Sequence, residues 1–195
     1  MLQLPNTLTV LRILLVPIFA LAFMLPGETA RLASFVLFCI AGLSDVLDGF
    51  AARKLRARTE FGRMLDPIAD KILVAVALMM LVASGVISGY ELIPALVILA
   101  REILVSGLRE FLATVSVSVP VTRVAKMKTV LQMIAIGAMI LGPLADKIVP
   151  GAIDFADALL WVAAVLTVTT GFVYFRAGFA YVRPDRVSPQ TRPPA

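Results

Sequence analysis

Histidine is absent from the 195 residues, and cysteine occurs once, at Cys39. The missing imidazole weighs against zinc chemistry and against histidine acid–base catalysis. A single cysteine in an apolar run forms no internal disulfide, so nothing implies an oxidising compartment. Charge is scarce too: 16% of residues are charged and 60% are hydrophobic, with a mean hydropathy of +0.96. That is too apolar for a soluble domain of this size, and the chain reads as an all-α integral membrane protein. A formal net charge of +5 could suggest nucleic acid. With no soluble domain to carry such binding, no nucleic acid is expected; cytoplasmic loops beside anionic lipid explain the excess.

What the chain has is a succession of apolar segments, at about 8–26, 31–55, 62–84, 93–113, 124–144 and 153–179. Each can cross the bilayer as a helix, which predicts six transmembrane helices. A short amphipathic stretch at 2–6 precedes them and is expected to lie in the interface. Taken alone, the first segment could be a signal peptide cut near Thr29 and Ala30; the spans behind it make it a retained helix. Basic residues set the orientation. Lys54, Arg56, Arg58 and Arg63, then Arg109, Arg123, Lys126 and Lys128, then Arg176, Arg183, Arg186 and Arg192 fall at one end. The other end has Arg31 and Lys147 beside Glu28, Glu91, Asp146, Asp154 and Asp157. Positive loops stay inside, so both termini are expected in the cytoplasm. Residues 1–182 are expected to form one membrane domain, and 183–195, rich in proline and charge, a disordered cytoplasmic tail.

Four aspartates at the cytoplasmic end of the second and third segments need a reason, because carboxylates at membrane depth are costly. At about 100° per residue, Asp45, Asp48, Gly49, Ala52 and Arg53 share an arc of roughly 140°. Asp66 and Asp70 stack one turn apart behind Gly62. At about 1.5 Å per residue, Asp48 and Asp66 lie roughly 6–7.5 Å below the polar turn, and Asp45 and Asp70 about 12 Å below it. Two pairs of carboxylates therefore meet at matching depth. Unpaired they would repel and protonate; hard divalent cations, Mg²⁺ or Mn²⁺, would hold them ionised. Gly49 and Ala52 remove bulk beside the helix backbone, and Arg53 offers a planar fork for phosphate. The reading is a two-metal diphosphate site opening from the cytoplasmic membrane surface. Pro67 should free the carbonyl of Arg63 and bend the third helix there.

A second group of charges lies on the fourth and fifth segments: Arg101, Glu102, Arg109, Glu110, Lys126 and Lys128. Arg101 and Arg109, eight apart, share a face, so a cationic stripe is expected to rise along the fourth helix, suited to an acceptor carrying a phosphate. Equally, Arg109, Lys126 and Lys128 could be anchors that snorkel to headgroups. Arg101 and Glu102 could pair with neighbouring helices for packing alone.

The pattern Asp45-x2-Asp48-Gly49-x2-Ala52-Arg53-x8-Gly62-x3-Asp66-x3-Asp70 resembles the complete signature of the CDP-alcohol phosphotransferases. The resemblance implies two metal ions held by Asp45, Asp48, Asp66 and Asp70, which clamp the diphosphate of a CDP-linked lipid. It also implies that Asp70 is the base that deprotonates the acceptor alcohol, with CMP leaving. The stretches PNTLTVLRILLVP, AREILVSGLREF and AKMKTVLQM resemble the bacterial branch whose substrates are CDP-diacylglycerol and glycerol 3-phosphate. By that likeness the product is phosphatidylglycerol phosphate, made in phospholipid biosynthesis at the inner (cytoplasmic) membrane by a homodimer. By similarity Asn6, Thr9 and Arg12, with Gly49, Ala52, Arg53, Thr59 and Gly62, would hold the CDP-diacylglycerol. Arg109, Lys126 and Lys128 would receive the phosphate of glycerol 3-phosphate. Thr59 could instead cap the third helix. Other acceptors in the family (serine, inositol phosphate, phosphatidylglycerol), an intramembrane prenyltransferase and an ion or proton transporter are the rival readings. Transport would depend on an ion gradient and release no CMP.

Overall fold

The computed structural model describes the backbone of residues 4–55, 60–115 and 123–182, and the side chains of 10–44, 65, 68–115 and 124–180. The predicted tail at 183–195 and Thr59 lie outside the described residues. Six helices are described: α1 (Leu4–Met24), α2 (Glu28–Leu55), α3 (Glu60–Ala83), α4 (Leu92–Thr114), α5 (Arg123–Ala145) and α6 (Ala152–Val182). A 3₁₀ turn at Gly89–Glu91 leads into α4, and no strand occurs among the described residues. The all-helical expectation holds, with helix ends close to the predicted segment ends.

One boundary differs. α1 runs unbroken from Leu4, so residues 4–6 form its first turn and not a separate segment. Pro5 does not prevent this, because the first turn of a helix has no N–H partner to lose. α3 is likewise continuous through Pro67. Between α1 and α2 the chain reverses at Gly27, whose φ of +103° suits a residue without Cβ. Ahead of α6, the Asp146 carboxylate accepts the N–H groups of Gly151 (2.9 Å) and Ile153 (3.5 Å), satisfying donors at the start of the helix.

The contacts close the helices into a ring. α1 packs on α2, α2 on α5, α5 on α6, α6 on α4, α4 on α3, and α3 on α1. α3 also touches α2 and α5 across the interior, so the helix carrying Asp66 and Asp70 meets four of the other five. Phe19 stacks in tilted geometry against Phe23 and Phe38, and Leu73, Leu81, Ile136, Met139, Ile140 and Leu160 are buried around them. Many large apolar side chains face outward instead, among them Leu21, Ile40, Met79, Leu96, Ile103, Val130, Val165 and Phe172. Arg12, Glu102, Lys128, Gln132 and Thr167 are turned inward. An apolar exterior around an apolar core that also holds buried charges departs from the pattern of a water-soluble protein.

Among the described residues two helical stretches, Val124–Ala145 and Ala152–Ala180, are long and apolar enough to cross a membrane. α2, α3 and α4 have the length but carry the charges of the motif and of the second cluster.

α2 and α5 approach closely where Gly137 faces Phe35 and Phe38: a Cβ there would lie 3.3 Å from the Phe35 ring. Gly137→Leu is expected to cost about 1–3 kcal/mol by overpacking. Thermal unfolding in detergent measures it, and an unchanged midpoint would mean that the helices part freely.

Candidate active site

The two halves of the aspartate motif lie on two helices that touch across the interior of the ring. Asp45, Asp48, Gly49, Ala52 and Arg53 belong to the C-terminal half of α2, and Gly62, Asp66 and Asp70 to the N-terminal half of α3. These helices pack together, as the spacing predicts. Of the four aspartates, Asp70 has its side chain among those described; Asp45, Asp48 and Asp66 do not. Asn6 and Thr9 lie in the first turns of α1; their side chains, those of Ala52 and Arg53, and the surroundings of Gly49 and Gly62 are outside the described set.

Arg12 is described in full. It is 1% exposed, and its Nε donates to Ser44 Oγ at 3.2 Å, while Ser44 Oγ donates to the Ala41 carbonyl at 2.7 Å. A buried guanidinium on α1 is thereby fixed beside the residue that precedes Asp45. Arg12 and Asp70 share the wall of a cavity of about 520 Å³, whose remaining lining is mostly apolar: Phe35, Phe38, Leu73, Met133 and Ile134 among others. Thr129 of α5 also lines it, next in sequence to Lys128.

Next to Asp70 a network of charges crosses the bundle. The Lys71 ammonium lies 3.3 Å from Asp70 Oδ2 and 2.5 Å from Glu102 Oε2. Glu102 Oε1 accepts from Lys128 and, at 3.1 Å, from Arg101 Nη1. Arg101 is held in turn by α6: its Nε donates to the Thr167 carbonyl at 3.0 Å and its Nη2 to Thr170 Oγ1 at 3.2 Å. Glu102 is 4% exposed and Lys128 2% exposed. A buried carboxylate is tolerable only when paired, and each of its oxygens has a cationic partner.

The predicted phosphate-binding residues therefore separate. Lys128 is inside the bundle, whereas Arg109 and Lys126 are exposed, with no ion-pair partner among the described residues. Arg101 does not extend a stripe with Arg109, because its guanidinium is engaged by α6. Sequence reasoning missed Lys71 altogether and left Glu102 as a possible packing residue. The available signal was two ionisable residues, Lys71 and Glu102, well inside apolar segments, where charges need partners.

Comparison with known proteins identifies the family. The model of the CDP-alcohol phosphatidyltransferase family matches residues 2–169. A protein of Rickettsia felis named CDP-diacylglycerol–glycerol-3-phosphate 3-phosphatidyltransferase is 48% identical over 176 residues, covering 90% of this chain and 94% of its own. Proteins of the same name from Pectobacterium atrosepticum and Bacillus subtilis are 43% and 40% identical, each again across 90% of this chain and 94% of its own. A match that takes in every helix from α1 into α6, with both halves of the aspartate motif inside it, places the chain in the CDP-alcohol phosphatidyltransferase family.

Proposed function

We propose that the protein transfers the phosphatidyl group of CDP-diacylglycerol to glycerol 3-phosphate, giving phosphatidylglycerol phosphate and CMP, a step of phospholipid biosynthesis. The observation that carries this reading is near-half identity, over nine-tenths of the chain, to proteins named for that reaction.

The reading assigns Asp45, Asp48, Asp66 and Asp70 to two divalent cations, Mg²⁺ with Mn²⁺ as the alternative. The donor set supports it: the four side chains offer oxygen only, as hard cations require, and the Asp70 carboxylate is partly open to the cavity. Bound there, the cations would neutralise the diphosphate and ease departure of CMP. Asn6, Thr9, Arg12, Gly49, Ala52, Arg53, Thr59 and Gly62 are proposed to hold the CDP-diacylglycerol. The buried Arg12 offers charge-assisted donors at the cavity wall, with its orientation set by Ser44. Asp70 takes the proton of the acceptor hydroxyl as the acceptor oxygen bonds to the phosphatidyl phosphorus and the bond to CMP breaks. Arg109 and Lys126, both exposed, are proposed to draw in the phosphate of glycerol 3-phosphate, and the buried Lys128 to receive it.

The outward apolar belt and the two long apolar helices support a membrane-bound enzyme. The finer proposal is six spans, both termini and the site on the cytoplasmic side of the inner membrane, residues 1–182 as one domain, and a homodimer.

The test is CMP release by the purified chain from CDP-diacylglycerol and Mg²⁺, with glycerol 3-phosphate, serine, inositol phosphate or phosphatidylglycerol as acceptor. Release with glycerol 3-phosphate alone is expected. Release with a different acceptor would sink this specificity while keeping the family chemistry.

A further inference from the structure

The geometry points to Glu102 as a positioning residue that keeps Asp70 available to a cation by drawing the neighbouring Lys71 ammonium away from it; this rests on the proposed metal site. Lys71 lies between two carboxylates and is nearer to Glu102, at 2.5 Å, than to Asp70, at 3.3 Å. Coulomb attraction grows as separation shrinks and as the surroundings become less polar. Both factors favour Glu102, which is buried, over Asp70, which is partly open to the cavity. Glu102 cannot swing away, because Lys128 and Arg101 hold its other oxygen and Arg101 is tied to α6.

Without that carboxylate, the lysine stem lets the ammonium close on Asp70. It would then occupy an oxygen and cancel charge that a divalent cation requires. Among these five side chains three are cationic and two anionic, so removing the charge of Glu102 also raises the local net charge from +1 to +2. The two effects separate by experiment: deleting the charge of Lys71 or of Lys128 restores the same net charge, but only the first removes the lysine that competes for Asp70.

The test is Mn²⁺ binding to the purified full-length chain in detergent, read as free Mn²⁺ by electron paramagnetic resonance, with thermal unfolding recorded in parallel. Glu102→Gln is expected to weaken Mn²⁺ binding by about tenfold or more, the usual effect of losing a group that orients a metal ligand. Adding Lys71→Gln should recover most of the loss, whereas adding Lys128→Gln should not. Lys71→Gln alone should bind at least as tightly as the parent chain, which keeps the idea testable if Glu102→Gln does not fold. Equal binding by Glu102→Gln and the parent, equal rescue by the two second-site changes, or weaker binding by Lys71→Gln each overturns the inference. No Mn²⁺ binding by the parent chain overturns the metal site itself, and the inference with it.

Discussion

Asp70→Asn is expected to leave less than about 1% of the parent rate of CMP release, since a positioned general base contributes about 10²- to 10⁴-fold. Asparagine keeps the shape of the side chain but can neither take the acceptor proton nor offer a full negative charge. The fold should survive the change. Asp70 is partly exposed, and Lys71 retains its closer partner in Glu102. Initial rates at saturating CDP-diacylglycerol and glycerol 3-phosphate, beside an unfolding midpoint, separate lost chemistry from lost structure. A folded Asp70→Asn chain with more than about a tenth of the parent rate would remove Asp70 from the base role.

The second large effect concerns Lys128. An ammonium has three donors, and the bond to Glu102 accounts for one, so the buried lysine retains capacity for a phosphate. Losing a desolvated charged hydrogen bond costs about 2–5 kcal/mol. Lys128→Gln should therefore lower kcat/KM for glycerol 3-phosphate by about 100-fold or more, mainly through KM, with KM for CDP-diacylglycerol little changed. If Lys128 merely braced Glu102, the unfolding midpoint would fall while KM for the acceptor held. Arg109 and Lys126 are exposed, and salt screens exposed charges. Their contribution to acceptor capture should be smaller than that of Lys128.

Much of this fold was legible because several apolar segments are bounded by residues that stop or reverse a helix. Pro26 and Gly27 part α1 from α2, and Gly151 with the capping carboxylate of Asp146 precedes α6. The aspartate pairs were legible for another reason: spacings of three and four residues fix a common face whatever the tertiary context. Lys126 and Lys128 show a signal that was present and unused. Two residues along a helix turn it by about 200°, so these lysines face opposite ways, and one is exposed while the other is buried. The engagement of Arg101 with α6 was not legible. A long side chain can reach either of two neighbouring helices, and helical spacing does not say which. Nor was the tie between Lys71 and Glu102, which depends on how α3 and α4 pack.

The same tie bears on how the chain is made. In a bilayer, a charged residue at the centre of a lone helix costs about 2.5–3.5 kcal/mol on insertion scales. Synthesis delivers Lys71 beside Asp70 with α3, its closer partner Glu102 one helix later with α4, and Lys128 with α5. The helices that form the site are therefore poor candidates for entering lipid singly. On the proposed six-span topology they would leave the insertion machinery as a set, with the charge network as the latch of assembly.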